Sequence, residues 1–223
     1  MGTNASGGRE MPRKRKAAPI ARSDNALRER IREATFAVLM ERGYAGTGTS
    51  EIAARAKVSK RELYALFRDK QAILASCIAE RAKQMRLPLE LPAARDRRSL
   101  VAILEGFGTA ALRGVSHPTV TAVFRLAVVE AERSPEVARA LDTAGHQATR
   151  AALTELLSRE QSAGLLGTGD PSAMAARFFA LLWGDLRLRL LLRVAAPPTQ
   201  AEIKRRAQAA TEALLALHAG KRR

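Results

Sequence analysis

Apolar side chains recur along this chain at three- and four-residue intervals, and no stretch alternates with the two-residue period of a strand. The pattern predicts an all-α protein. A first helix is expected from about Ser23-Asp24-Asn25, all good caps, to Arg42, with Leu27, Ile31, Ala34, Val38 and Leu39 on one face and Gly43 ending it. Residues 47–70 then split into two short helices around a tight turn. Ile52, Ala53 and Ala56 form the apolar face of the first, Lys57 and Val58 make the turn, and Leu63, Leu66 and Phe67 form the buried face of the second. Ser59 can accept a hydrogen bond from a backbone N–H at the start of that second helix, and Glu62 can reach back to complete a capping box. Lys60, Arg61 and Tyr64 are thereby turned toward solvent. This is a helix-turn-helix, whose second helix is built to enter the major groove of DNA.

Beyond Lys70 the helical period continues. One helix is expected from Asp69 to about Met85, with Ile73, Leu74, Cys77, Ile78, Ala82 and Met85 inward, broken by Pro88 and Pro92. Another runs from Ser99 to Arg113. After His117-Pro118 a third is expected to end near Arg133. Ser134-Pro135-Glu136 opens a helix to about Ala163, Asp170-Pro171 opens a long one to Leu192, and Thr199 starts the last, which ends before Gly220. Three parts result: an N-terminal arm over 1–22, a three-helix DNA-binding domain over 23–70, and a helical bundle over 71–223.

Charge sharpens this division. The net charge is +16, and 16 of the 38 Lys/Arg against 8 of the 22 Asp/Glu lie in residues 1–70. A chain this basic usually meets nucleic acid or an anionic surface, and its basic density sits with the helix-turn-helix. The arm, with Arg13-Lys14-Arg15-Lys16, has almost nothing apolar to bury and is expected to be disordered when free. It is either a solubilising tail or a strand of cations that lies along DNA or enters its minor groove.

Other chemistries find little support. Cys77 stands alone on an apolar stripe, which reads as a buried inert thiol. His117, His146 and His218 lack metal-ligand spacing, and no nucleophile–base pair, paired carboxylates or phosphate-cradling glycine loop is present. No metal, cofactor or enzymatic activity is expected. No run approaches the ~18 apolar residues of a membrane span, and the first 22 residues lack the apolar core of a secretory signal. A cytoplasmic protein without membrane contact is expected.

Around the helix-turn-helix, Ile31, Ala34, Thr35, Val38, Leu39 and Gly43-Tyr44 upstream, with Asp69-Lys70 and Ile73-Leu74 downstream, complete an arrangement over about 24–75. It resembles the DNA-binding domain of the TetR family of transcriptional regulators. Lys60 and Arg61 fall in the first turn of the recognition helix, and the Arg61 fork suits guanine O6 and N7. The resemblance implies phosphate contacts for Tyr64 and Lys70. Thr47 and Thr49 flank the first motif helix as candidate caps with phosphate contacts, and Lys57 and Ser59 complete the DNA-facing set. The chain departs from the family pattern at Lys57, where Gly is common, at Gly48, and at Ala65-Leu66. A non-Gly residue in a left-handed turn costs roughly 1 kcal/mol.

Phe124 to Glu136, Ala175-Ala176-Arg177-Phe178-Phe179 and Gly184-Asp185-Leu186-Arg187 resemble the ligand-binding and dimerisation domain of the AefR-like branch of that family. The resemblance implies a homodimer formed by the last two helices, with Phe179, Leu182, Trp183, Leu186 and Leu190 joined by Ile203, Ala207, Ala210 and Leu214 in its apolar stripe; an ordinary intramolecular core is the alternative for the same stripe. Phe107, Phe124, Val128 and Phe178 are candidate lining residues for an effector pocket, although such aromatics equally suit plain core. Arg125, Glu130, Asp185 and Arg187 could orient a ligand or pair with one another.

The expected function is therefore a homodimeric repressor that binds a palindromic operator in double-stranded DNA and is released by a small, largely apolar effector. A sequence-nonspecific architectural DNA-binding protein is the alternative.

Overall fold

In the computed structural model the described residues are 18–219, with side chains from Asp24 onward. The run Arg13-Lys14-Arg15-Lys16 that defines the basic arm lies outside them. The described residues form helices with no strand, and only an isolated antiparallel bridge joins Leu166 to Ala219.

α1 (Ala18–Arg42) begins ahead of the expected Ser23-Asp24-Asn25 caps. Pro19 falls in the first turn, where a missing N–H removes no helical bond, so the helix extends through the arm's last residues. Gly43 ends it at φ +68. α2 (Thr49–Ala56) and α3 (Lys60–Leu66) follow, and α4 (Lys70–Arg86) is capped by the Asp69 side chain, which accepts the Ala72 N–H at 2.8 Å. Ile31 and Ala34 of α1, Ile52, Ala53 and Ala56 of α2, Leu63, Phe67, and Ile73 and Cys77 of α4 close one small core. Ion pairs Arg55–Glu41 and Arg42–Glu51 pin α2 across α1. α4 also turns Leu74 and Ile78 into a second cluster with Leu39 and Tyr44 on one side and Val123, Ala127, Val137 and Leu141 on the other. That cluster joins the helix-turn-helix to the rest of the chain.

After a 3-10 turn at Leu87–Glu90, the remaining α-helices are α5 (Arg97–Val115), α6 (Pro118–Val129), α7 (Glu136–Ala140), α8 (Ala148–Ser162), α9 (Pro171–Trp183), α10 (Leu186–Leu191) and α11 (Gln200–Leu217). Three boundaries differ from the periodicity. α6 stops at Val129 rather than near Arg133, because Glu130 leaves helical geometry and its carboxylate is used elsewhere. α7 and α8 form one rod interrupted by a π-helical stretch, Leu141–Gln147, a local widening that often marks a functional site. The long helix expected over 170–192 breaks at Gly184, whose φ 47 and ψ −127 only glycine adopts readily.

The principal correction concerns the expected dimer stripe. Phe179, Leu182, Leu186, Leu190, Ile203, Ala207, Ala210 and Leu214 are all buried inside one subunit, in a core shared with Leu100, Leu104, Phe107 and Leu112 of α5. α5 lies against both α9 and α11 and consumes the stripe that the sequence assigned to a partner chain. Trp183 is half-buried at the edge of this core. Leu181 of α9 and Leu217 of α11 stay exposed.

Candidate nucleic-acid interface

The recognition helix owes its position to three local devices. α2 ends on Lys57 in the left-handed conformation, φ 54 and ψ 49, and the N–H groups of Lys57 and Val58 return to Ala54 O and Ala53 O at 3.2 and 3.0 Å. The residue where glycine is common therefore does adopt glycine-like geometry. Ser59 then caps α3: its Oγ accepts the Glu62 N–H at 3.1 Å, and the Glu62 carboxylate accepts the Ser59 N–H at 2.8 Å. These bonds hold the Glu62 carboxyl below the usual carboxylate range. Finally, buried Leu63 and Phe67 seat the helix on the core, with the Arg28 guanidinium 5.1 Å over the Phe67 ring and donating to Leu66 O at 3.3 Å. Half-buried Leu66 packs on the same core.

What remains outward is a polar face. Lys60, Arg61 and Tyr64 are exposed, and none of Lys57, Lys60 and Arg61 is ion-paired with a carboxylate among the described residues. The Thr49 hydroxyl lies 3.0 Å from the Tyr64 hydroxyl, so the first residue of α2 and the middle of α3 share one hydrogen-bonding edge. Arg68, on the link to α4, is also strongly exposed beside Asp69, a cation that helix periodicity did not single out because it lies outside a helix.

Two expected contacts change character. Thr47 is buried, and its hydroxyl donates to Gly43 O at 2.6 Å, so it fastens the turn after α1 and presents nothing to a phosphate. Nor do the threonines cap α2: the cap position belongs to Gly48, which makes no side-chain bond. Lys70 lies inward, its ammonium 4.0 Å over the Tyr44 ring and donating to Tyr44 O at 2.9 Å. One of its three donors is spent on positioning the loop between α1 and α2.

A second site lies in the bundle. An apolar cavity of about 80 Å³ is lined by Ile78 and Met85 of α4, Val120, Val123 and Phe124 of α6, Leu141, Gly145 and His146 of the π-helical stretch, and Phe179, Trp183 and Arg187. Of the four aromatic and apolar residues expected to line a pocket, Phe124 lines this cavity and Val128 an adjoining outer groove. Phe107 and Phe178 are fully buried and stacked on each other, 5.9 Å between ring centres. Val128 is exposed and lines that groove with Phe124, Leu141, His146 and Arg187. Every inward position of an α-helix carries the same periodic signal, so periodicity alone does not separate a cavity wall from filled core.

Residues 31–77 match the family described as bacterial regulatory proteins of the tetR family, and residues 102–219 match the C-terminal domain of AefR-like transcriptional repressors. Among solved structures, the flavonoid-responsive regulator FrrA is 27% identical, over 89% of this chain and 100% of that one, with a TM-score of 0.67. A TetR regulator from Agrobacterium tumefaciens is 24% identical over 87% and 95% of the two chains, TM-score 0.71. A TetR-family regulator from Mesorhizobium loti is 24% identical over 87% and 98%, TM-score 0.68. None of the curated proteins matches the chain. With a family match across its whole C-terminal half, a second across its helix-turn-helix, and this fold, the chain belongs to the TetR family of bacterial transcriptional regulators, in its AefR-like branch.

Proposed function

We propose that this regulator acts in the cytoplasm as a homodimeric repressor, its two recognition helices reading the half-sites of a palindromic operator, and that a small, largely apolar effector releases it. The observation that carries the reading is the outward face of α3, where Lys60, Arg61 and Tyr64 are exposed on a helix fixed by the Ser59–Glu62 capping box. Arg61 reads a guanine through O6 and N7, and Lys57, Tyr64 and Thr49 meet phosphates. Exposed Ala180 and Leu181 of α9 and Ala209, Ala216 and Leu217 of α11 form the dimer contact, small side chains letting the helices of two copies approach. The cavity behind α6 takes the effector, which favours a spacing of recognition helices that no longer fits the operator. Similarity to a flavonoid-responsive regulator supports an effector with an apolar, ring-bearing body.

Selection of bound sequences from a random duplex pool tests this reading. The expected result is a two-fold symmetric consensus with half-sites about 10 base pairs apart or a multiple of that spacing, and Arg61→Ala relaxes one position in each half-site. Binding without any enriched sequence, abolished by moderate salt, overturns it in favour of architectural DNA binding.

A further inference from the structure

The cavity wall contains a cation that the protein leaves without a counter-charge. Arg187, in the first turn of α10, reaches back across α6 with its guanidinium 4.2 Å over the Phe124 ring. It forms no ion pair and no hydrogen bond with another described residue. The neighbouring arginine in sequence contrast is informative: Arg189 pairs with Asp185 at the surface, and Arg125 of α6 donates to Leu190 O and Leu191 O at 2.6 and 2.9 Å. Burial draws the Arg187 guanidinium down from its ordinary value, with desolvation as the only cause. A partly desolvated charge without a partner gains from any group that supplies the opposite charge, and the ring face of Phe124 compensates only in part.

Nothing in the wall supplies it. The lining residues include no Asp or Glu, whereas Arg81, His146 and Arg187 all reach it. Arg81 also faces a separate groove that carries Glu29, Glu33 and Glu80, whereas no carboxylate lies within ion-pair range of Arg187 among the described residues. His146, 6.2 Å from the Phe179 ring between centres, makes no hydrogen bond to another described residue, so its ring nitrogens are open to a ligand. Phe124, Leu141, His146 and Arg187 also line an open groove of about 460 Å³ on the outer side. Asp142 borders that groove, where its carboxylate accepts from Gln147 Nε2 at 2.6 Å and stays outside ion-pair range of Arg187. Arg187 therefore stands at the junction of a partly enclosed apolar chamber and a wide mouth. A molecule with its body in the chamber and one anionic end at the mouth satisfies both. The π-helical stretch, which places Leu141, Gly145 and His146 in the wall, shapes that junction.

We infer that the effector is an amphipathic organic acid, an apolar ring or short chain held in the chamber with a single carboxylate bound by Arg187 and assisted by His146. The inference rests on the ligand-responsive reading above and names the chemical class of its ligand. A neutral molecule of the same shape leaves the guanidinium unpaired and loses the charge-assisted bonds.

Trp183 lines the cavity and is the chain's one tryptophan, so its emission reports occupancy directly. Full-length protein is titrated with two matched pairs that do not absorb at the tryptophan band: cyclohexanecarboxylate with cyclohexanemethanol, and octanoate with octan-1-ol. The acids are expected to shift Trp183 emission with a Kd at least tenfold below that of their alcohols. Arg187→Gln is expected to erase the preference while alcohol binding persists, and Arg187→Lys to retain much of it. Persistence of alcohol binding, with an unchanged thermal melt, shows that the variant keeps its fold. Alcohols that bind as well as acids, or an acid preference that survives Arg187→Gln, overturn the inference alone. A wild-type cavity that binds neither class overturns it together with the ligand-responsive reading, whatever the operator selection gives.

Discussion

The backbone N–H of Tyr44 donates to the Glu130 carboxylate at 3.2 Å, across 86 residues of sequence. Tyr44 sits in the loop between α1 and α2, and Glu130 caps the C-terminus of α6, the helix that contributes Val120, Val123 and Phe124 to the cavity wall. The same Tyr44 carbonyl accepts the Lys70 ammonium at the head of α4. The bond needs Gly43 beside it, because a Cβ there would lie 2.8 Å from Glu130 Oε1. A shift of α6 driven from the cavity would thus be felt at the loop that seats the helix-turn-helix.

This contact predicts a separable phenotype. Glu130→Ala removes the tie between α6 and the Tyr44 loop but touches neither α3 nor the cavity. Operator affinity without effector is expected to change less than about threefold, while the effector's influence on it falls from the usual ~5–150-fold range of coupled sites toward none. Operator titrations with and without effector, in wild type and variant, measure both numbers. Undiminished coupling in Glu130→Ala would show that another path carries the signal.

The turn between α2 and α3 offers a prediction with two readouts. Lys57 holds φ 54, a region costly to any residue with a Cβ. Lys57→Gly relieves about 1 kcal/mol of that strain and gives back part of it through a more flexible unfolded chain. A net gain of no more than about 0.6 kcal/mol, or about 2 °C in Tm, is expected. If Lys57 meets a phosphate in each half-site, the slope of log affinity against log salt falls by about two at the same time. Greater stability with an unchanged slope would remove Lys57 from the DNA contacts.

Legibility in the sequence follows how local each interaction is. The capping box at Ser59–Glu62, the buried Ile52, Ala53 and Ala56, and the left-handed Lys57 all depend on neighbours within a few residues, and the structure has each of them. The fates of Phe179, Leu182 and Ala207 depend on which helix lies against them, a relation between positions far apart in the chain. Their apolar period suits a partner subunit or α5 equally, and α5 takes them. Thr47 and Lys70 show the same limit on a smaller scale. A hydroxyl and an ammonium read from sequence as surface donors, but Gly43 O takes the Thr47 hydroxyl and Tyr44 O takes one of the three Lys70 donors.

Stability is expected to weaken on the acid side for a definable reason. Hydrogen bonds from the Ala72 N–H and then from Arg68 hold Asp69 below its usual 3.8, and Asp96 is lowered by its cap to Ser99. Glu62 is lowered by Ser59, and Glu41 by the Arg55 guanidinium, each from 4.5. A depressed folded-state value means that the contribution is complete above the unfolded value and is lost as pH falls through the folded one. Chemical denaturation should therefore show nearly constant stability from neutral pH down to about 5 and a decline below about 4.5. Asp69→Asn keeps a good cap but no longer titrates, so its decline is expected to be shallower. An equal decline in wild type and Asp69→Asn would exclude Asp69 as a contributor.

At the alkaline end, Cys77 behaves in the opposite sense. Its thiol is wholly buried between α1 and α4, with Sγ donating to Arg32 O at 3.8 Å, and burial pushes it up from 9.0 to about 12. In the folded chain it keeps its proton in a range where the unfolded chain has lost it. Its contribution is therefore complete below about pH 9 and drains away as pH rises toward 12, by up to about 1.4 kcal/mol per pH unit. The thiolate is also the reactive form, so a neutral aromatic disulfide reagent at pH 8 should leave the native thiol untouched until α1 and α4 separate. Labelling is then expected to follow the unfolding rate and to be independent of reagent concentration once modification outpaces refolding. Ala in place of Cys77 leaves a small void and lowers stability at pH 7, yet should flatten the loss between pH 9 and 11. Fast labelling of the native protein, at a rate proportional to reagent, would mean that the junction between the helix-turn-helix and α4 opens without global unfolding, and the same motion would then be available to carry the effector's signal to α3.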